Sequence, residues 1–353
     1  MIIGDYSRHS KPRRGFREDD SATPLVSVVL PVFNEKAACL EKAVASILAQ
    51  TFDAFELLVL DDGSDREETI HLLDSLPDRD KRIRLFRGPN TGVAAVLNKG
   101  LNLARGDLIC RQDSDDWSEP DRIRIQFEFL RARPELAMVG SNIALHQEDA
   151  EFLWTTNMPQ TPEEVKSTLP LGNPFCHGSV CFRRARAQEI GGYRLDLNGA
   201  EDYDLFWRMC EEWGGANLAQ ALYHLRRAGS SVSGAQATNV LVKFHMVQVL
   251  AKMRHNGEAE DLDLARALVN KDHARLKYLG QLKQADHLLL AGHYSKALRG
   301  YSSTFKNPCF SWLSVAKLLR SCLFIMVPAI RKHLFIILLI VLGNLAAYHY
   351  AYV

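Results

Sequence analysis

FELLVLDDGSD, residues 55–65, is the stretch on which the fold turns. Its opening half is almost wholly apolar, as in a strand covered on both faces. It then stops at DDGSD, a turn-and-cap sequence that opens a helix predicted over residues 67–76. Upstream, VSVVLPVF at 26–33 is a run of the same kind. A helix follows it, with Leu40, Val44, Ile47 and Leu48 at helical spacing. Downstream come a short strand at 83–87, a loop at 88–92 and a helix at 93–104, with Gly106 read as its C′ residue. The strand DLICRQ then runs into Asp113, Ser114, Asp115 and Asp116. Repeated strand–helix alternation predicts an α/β fold, a mostly parallel sheet flanked by helices. Ligands of such sheets bind beyond the carboxyl ends of the strands. Glu35, Asp61, Asp62, Asp113, Asp115 and Asp116 all fall just after predicted strand ends, which makes them a candidate site.

Further along, the pattern is mixed. A helix is predicted at 122–133, a strand at 137–143 and a helix through DYDLFWRMCEE. Residues 239–305 are helical by periodicity. Within them ADHLLLAGHYSKALRGYSSTF resembles half of a tetratricopeptide-like helix pair, and a single unit does not make a repeat array. The chain ends in LFIILLIVLGNLAAYHYAYV, residues 334–353. At ~1.5 Å per residue it is just long enough for a bilayer core of ~30 Å. Tyr348, Tyr350 and Tyr352 resemble an interfacial aromatic belt, and Arg331, Lys332 and His333 favour the cytoplasmic side for the preceding flank. Asn344 and His349 interrupt the apolar run, so association with the membrane and a true span both stay open.

Composition bounds the function. The chain has 353 residues, 47% of them hydrophobic and 24% charged, which is globular rather than disordered. A formal net charge of +1 offers no field for nucleic acid. Seven cysteines, an odd number with no CxxC pair, fit a reduced, cytosol-facing chain better than a disulfide scaffold. Residues 1–23 are polar and lack a signal-peptide core, and read as a mobile arm in which Lys11, Arg13, Arg14 and Arg17 are either solvated, the favoured reading, or in contact with anionic lipid. There is no HExxH, no GxGxxG after the first strand and no GxxxxGK[ST].

Three motifs carry chemistry. Carboxylates packed as Asp113, Asp115 and Asp116 repel one another unless a cation relieves them, and hard oxygen ligands suit Mg²⁺ or Mn²⁺ bridging a diphosphate. An isolated DSDD equally caps a helix; its acidic companions at other strand ends favour a site. Glu201 and Asp202 lie at a predicted helix start, either as a partly desolvated general base or as an acidic first turn favoured by the helix dipole. His177 sits beside Gly178, where a backbone can approach a ligand closely, and Arg226 and Arg227 can neutralise a diphosphate or be plain surface arginines.

Taken in order, VSVVLPVFNE, LLVLDDGSDRE, GPNTGVAAVLNKGLNLARGDLICRQDSDDW and NGAEDYDLFWRM resemble the family 2 glycosyltransferases of the GT-A fold, over residues 26–233. The resemblance implies a donor site in which Pro31, Asn34 and Glu35 form the first loop near base and ribose. Asp62 would contact the base, and Asn90, Gly92 and Asn98 would pack beside the nucleotide. Asp113 would face the ribose, Asp115 would hold the metal, and Asp202 would be the catalytic base of an inverting displacement. The QxxRW motif of processive members is absent; YDLFWRM stands after Glu201-Asp202, which points to one sugar per encounter. The loop that is usually basic or His-containing reads HLRRAGSSVS.

The expected organisation is a mobile arm (1–23), a GT-A domain (24–235), a helical extension (236–308) and a membrane-associating hydrophobic tail (309–353). The expected partners are a nucleotide-sugar donor, most often UDP-linked in similar proteins, and a glycan or lipid-linked acceptor at the cytoplasmic face of a membrane. One rival is a nucleotidyltransferase, which needs a Gly-rich basic loop after the first strand where this chain has PVFNEKAA. The other is a non-catalytic scaffold built on the helical region. Product analysis separates them: nucleoside diphosphate release is expected, pyrophosphate release supports the first rival, and no metal-dependent donor turnover supports the second.

Overall fold

The structure is a computed structural model that describes residues 24–228, 236–306 and 317–319. The N-terminal arm and the hydrophobic tail expected at 334–353 lie outside the described residues. Among the described residues, no helix is long and apolar enough to cross a membrane.

Strands β1 (Val26–Val32), β2 (Phe55–Asp61), β3 (Ile83–Arg87) and β4 (Leu108–Arg111) alternate with helices α1 (Ala37–Leu48), α2 (Glu67–Ser75) and α3 (Val93–Leu103). Next come β5 (Trp117–Ser118), α4 (Arg122–Arg131), β6 (Met138–His146), β7 (Phe152–Thr155) and α5 (Pro162–Thr168). Then follow β8 (Cys181–Arg183), α6 (Arg184–Glu189), α7 (Glu201–Trp213) and β9 (Gly215–Arg226). The extension contains α8 (Ala237–His255), α9 (Leu262–Asn270), α10 (His273–Leu290) and α11 (Tyr294–Ser303).

All nine strands form one sheet, in the order β3-β2-β1-β4-β8-β6-β9-β5, with β7 on β6. The first four are mutually parallel. Beyond β4 the sheet is mixed: β8 runs antiparallel to β4 and to β6, and β9 parallel to β6. β9 therefore points the same way as β4, and β8 begins where β4 ends. This places the ends of β1, β2, β4 and β9 and the entry to β8 on one edge.

Period-2 alternation sorts the strand residues between two cores. Val26, Val28, Leu30 and Val32 pack with Leu40, Val44 and Ile47 of α1 and Ile123 of α4. Val29, Leu58 and Leu60 face α3, α7 and α8. Phe244 of α8 stacks on Tyr203 of α7 at 4.2 Å, so the extension shares a core with the sheet. Ion pairs reinforce that junction: Arg194 and Arg254 both reach Glu260, and Arg254 also reaches Glu211 at 2.7 Å. The tetratricopeptide-like stretch is the packed pair α10–α11, which closes a third core with Leu145 and Leu153 of the sheet.

The structure corrects Gly106. Ala104 caps α3 in an extended conformation, and Gly106 is not among the residues with positive φ. A Cβ there would lie 2.7 Å from the backbone of Ser27 and Val26, so its role is close backbone approach to β1.

Gly280 does similar work between α10 and α8: a Cβ would fall 2.2 Å from Thr238 Oγ1 and 2.8 Å from its Cα. Gly280→Ala is expected to force the helices apart and to cost ~1–3 kcal/mol, as overpacking does. Thermal melting would show it as a lowered midpoint.

Candidate functional site

The aligned strand ends bring the acidic residues to one edge. Parallel pairing sets Val32 opposite Asp61 and Val29 opposite Arg111. The loops that follow carry Glu35, Asp62 and Asp113–Asp116. The entry to β8 adds His177, α7 adds Glu201 and Asp202 at its first turn, and β9 ends on Arg226.

Arg111, the last residue of β4, is buried at the centre. Its Nη1 lies 2.5 Å from Asp113 Oδ1, and Nε has no hydrogen-bond partner. Its charge is felt by Glu201, Asp202 and His177. Burial pushes Glu201 up to about 7, with Asp202 adding to the shift, and pushes Asp202 up to about 6 against the pull of the Tyr203 N–H and Arg111. Two carboxylates in one dry turn share their protons, so they titrate as a pair. Asp202 Oδ1 accepts from Tyr203 N at 2.8 Å and Oδ2 from Asn173 Nδ2 at 3.0 Å, which fixes the carboxylate plane. Glu201 accepts from the Gly199 N–H and lies 3.9 Å from His177 Nδ1. Burial and Arg111 hold His177 well below its ordinary value, so the ring is neutral; Nε2 meets the Tyr193 hydroxyl at 3.3 Å.

The second acidic group is Glu35, Asp113, Asp115 and Asp116. Burial, then Asp113 and Glu35, push Asp115 up to about 7. Asp116 too is raised, by burial and then by Asp115 and Asp113, although Tyr223 Oη donates to it at 2.8 Å and Arg226 N at 2.7 Å. Arg226 Nε donates to the Asp115 carbonyl at 3.2 Å, and its Nη2 lies 3.5 Å from Glu35 Oε1. Arg226 is thus bound into the acidic cluster. Beneath it, the fully buried Arg122 donates to Gln112, Ser118 and the Arg111 carbonyl, with its guanidinium 5.0 Å from the Tyr223 ring centroid.

The remaining predicted donor residues hold loops. Asp62, at 6% exposure, accepts from Thr91 N at 2.7 Å, Thr91 Oγ1 at 3.0 Å and Gly92 N at 2.9 Å, which pins the loop leading into α3. Asn34, at φ 51°, accepts from the N–H groups of Asp65 and Arg66 and donates to Asp65 Oδ1, tying the β1 loop to the β2 loop. Asn98 bonds both the N–H and the carbonyl of Tyr193. Pro31 lies within β1, and Asn90 is exposed. Asp62, Thr91 and Lys99 line a small cavity of about 100 Å³ with Leu60 and Val96. It lies at the same edge as the two acidic groups.

Among the described residues no group of three or more His, Cys, Asp or Glu is arranged to cage a metal. Burial first, and then the neighbouring carboxylates, make the charged form of Asp115 costly, a cost that a nearby cation would lower.

Sequence reasoning gave Asp116 no separate role and passed over Arg111, Arg122 and Tyr223. A charged residue closing an otherwise apolar strand was the available signal for Arg111. Tyr223 is far from the acidic motif in sequence, and Arg122, six residues beyond Asp116, reads as an ordinary first-turn residue of α4; neither carries a signal. Gly178 needs a different reading: its close neighbours are Tyr223 Oη, 2.0 Å from a built Cβ, and Asp113 Oδ2, 2.7 Å away. It makes room for the tyrosine that bonds Asp116.

A model of the family described as glycosyl transferase family 2 matches residues 27–191. Over 211 residues the chain is 39% identical to an uncharacterized glycosyltransferase of Haemophilus influenzae, covering 59% of this chain and 79% of that one. It is 29% identical over 207 residues to the O-antigen biosynthesis glycosyltransferase WbnJ of Escherichia coli, covering 57% and 79%. A similar solved structure is the mannosyltransferase PcManGT of Pyrobaculum calidifontis in complex with GDP-Man and Mn²⁺. Its TM-score is 0.51 at 18% identity, covering 96% of this chain and 92% of that one, a likeness of fold.

Gly178→Ala should displace Tyr223 and lose both stability and activity. Tyr223→Phe keeps the packing and removes only the hydroxyl, so it should lose less melting temperature than Gly178→Ala while freeing Asp116 of its side-chain donor. Equal melting points and equal activity for wild type and Gly178→Ala would contradict the packing argument.

Proposed function

This chain belongs to glycosyl transferase family 2, and on that premise we propose that it moves one sugar from a nucleotide-sugar donor to an acceptor hydroxyl with inversion. The observation that carries the reading is the pair of acidic groups on one sheet edge, with Asp202 fixed by two hydrogen bonds and raised by burial. A carboxylate with a pKa near the working pH is suited to taking a proton.

The cavity beside Asp62 would seat the base, with Asp62 acting by holding Thr91 and Gly92 in place. Asp113 would orient the ribose, kept in position by Arg111. Asp115, with Asp113 and the donor phosphates, would hold Mg²⁺ or Mn²⁺, which when bound would stabilise charge on the departing nucleoside diphosphate. Asp202 would remove the acceptor hydroxyl proton while that oxygen bonds to the anomeric carbon. The bond from that carbon to the phosphate oxygen breaks, and its electron pair leaves with the diphosphate. No covalent enzyme intermediate is required. His177, neutral and beside Glu201, would line the acceptor side.

Synthesis of a cell-surface polysaccharide, from a UDP-linked donor to a glycan or lipid-linked acceptor, is the setting we favour. The O-antigen relative supports the setting. The basic flank at Arg331–His333 and the apolar residues 334–353 support work at the cytoplasmic face of a membrane.

Asp202→Asn should lower kcat by ~10²–10⁴ while nucleotide affinity stays within about twofold. In the wild type the rate should rise with pH through about 6, because the base must be ionised and burial has raised it. The stability sign is opposite: a raised carboxyl favours the fold when protonated, and that contribution is lost as pH rises through about 6. Asp202→Asn can accept only one of the hydrogen bonds from Tyr203 N and Asn173 Nδ2, so folding of the variant is checked by its melting point before its turnover is compared. Near-normal turnover by this variant sinks the base assignment.

A further inference from the structure

Both hydrogen-bond donors to Asp202 are held in place by helix α8, which lies beyond the segment that the family model matches. Phe244 and Gln248 stand four residues apart on α8 and so share one of its faces. That face meets Tyr203, the residue after Asp202. The Tyr203 ring is buried and stacks on Phe244, with centroids 4.2 Å apart and planes at 15°. Its N–H is the donor to Asp202 Oδ1. Its hydroxyl donates to the Leu169 carbonyl. The Gln248 amide, within reach of that hydroxyl, donates to the next carbonyl, Pro170, at 3.0 Å.

Leu169 and Pro170 open the loop that carries the second donor. Asn173 Nδ2 reaches Asp202 Oδ2, while Asn173 Oδ1 accepts from Phe175 N at 3.1 Å. At the far end of the loop Asn217 of β9 donates to the Pro174 carbonyl at 3.0 Å. Leu171, the large apolar side chain at the bend, is 42% exposed and adds little packing, so hydrogen bonds hold the loop there. Asn173 therefore sits between two anchored carbonyls, Pro174 set by the sheet and Pro170 set by α8. Without the Gln248 amide the Pro170 carbonyl loses its donor, and Asn173 is free to drift from Asp202. A carboxylate that loses a donor is harder to ionise.

We propose that Gln248, acting through Tyr203 and the 169–173 loop, is a positioning residue that fixes the plane of the Asp202 carboxylate for proton transfer. The inference rests on the reading of Asp202 as the base, and it gives the helical extension a part in the reaction. Other groups act on the Asp202 charge: Arg111 of β4, Asp113 in the loop after it, Glu201, Tyr193, and Lys283 of α10. All of them are kept in the variants that test the role of Gln248.

The full chain is compared with Gln248→Met, which keeps the side-chain length without its N–H donors. A second variant, Tyr203→Phe, keeps the ring on Phe244 and loses only the hydroxyl. Melting points check that each folds. NMR titration of ¹³C-labelled aspartate carboxyls, with the Asp202 signal assigned from Asp202→Asn, reads the carboxylate directly. Turnover is read as nucleoside diphosphate release from UDP-glucose, UDP-N-acetylglucosamine and GDP-mannose with Mn²⁺, water serving as acceptor. In the wild type Asp202 should titrate at about 6. Both variants should move that midpoint upward by about 0.5–1 in pH. They should lower kcat by about three- to tenfold through misplacement of the base, with KM for the donor unchanged. An unmoved Asp202 titration with wild-type kcat refutes the positioning role and leaves the base reading standing. A moved titration, in a protein that releases no nucleoside diphosphate from any of the three donors, upholds the positioning of Asp202 and overturns its role as the base.

Discussion

Carboxylates buried together at one sheet edge, out of water and within reach of one another, set the terms for the rest of the fold. Arg226 is bound among Glu35, Asp115 and Asp116 on one side, while the buried Arg111 pairs with Asp113 and acts on Glu201 and Asp202 on the other. Two guanidinium groups do not balance six carboxylates, and burial raises Glu35, Asp115, Asp116, Glu201 and Asp202 above their ordinary values. Folding tolerates this because the apolar cores on both faces of the sheet hold the strand ends in register. On the proposed function, that imbalance is what a divalent ion and an incoming proton would relieve.

The supports of that edge are mostly uncharged or internally matched. Tyr223 bonds Asp116, Asn173 and the Tyr203 N–H hold Asp202, and Arg122 lies under the cluster in a net of carbonyl, amide and hydroxyl acceptors. Such preorganised dipoles act in a low-dielectric site without reorganising during reaction. The loops around the cavity are held by Asp62 and Asn34. A substitution at either therefore acts on loop geometry as well as on any ligand.

Much of this was legible in the sequence. The runs at 26–33 and 55–60 and the acidic strand ends defined the parallel half of the sheet and the carboxylates that meet there. The mixed half was less legible. β8 (Cys181–Arg183) is too short for a periodic signal, and the pairing of β9 with β6 is long-range. Arg226 read as an ordinary surface arginine or a diphosphate ligand, yet its backbone and guanidinium bond Asp116 and Asp115, a contact across 110 residues that spacing cannot reveal. Gly106 and Gly178 were legible as glycines but not in purpose. Their neighbours, the β1 backbone and the Tyr223 hydroxyl, arrive only with tertiary packing.

The central claim is that the two acidic groups enclose one donor and one divalent ion. Anomalous diffraction from crystals grown with Mn²⁺ and a nucleoside diphosphate tests it most directly. The account predicts a single manganese peak bonded to Asp115 and to phosphate oxygens, with the base in the cavity beside Asp62 and the diphosphate facing Asp202. A peak away from Asp115, or a nucleotide bound on another surface of the sheet, would contradict it.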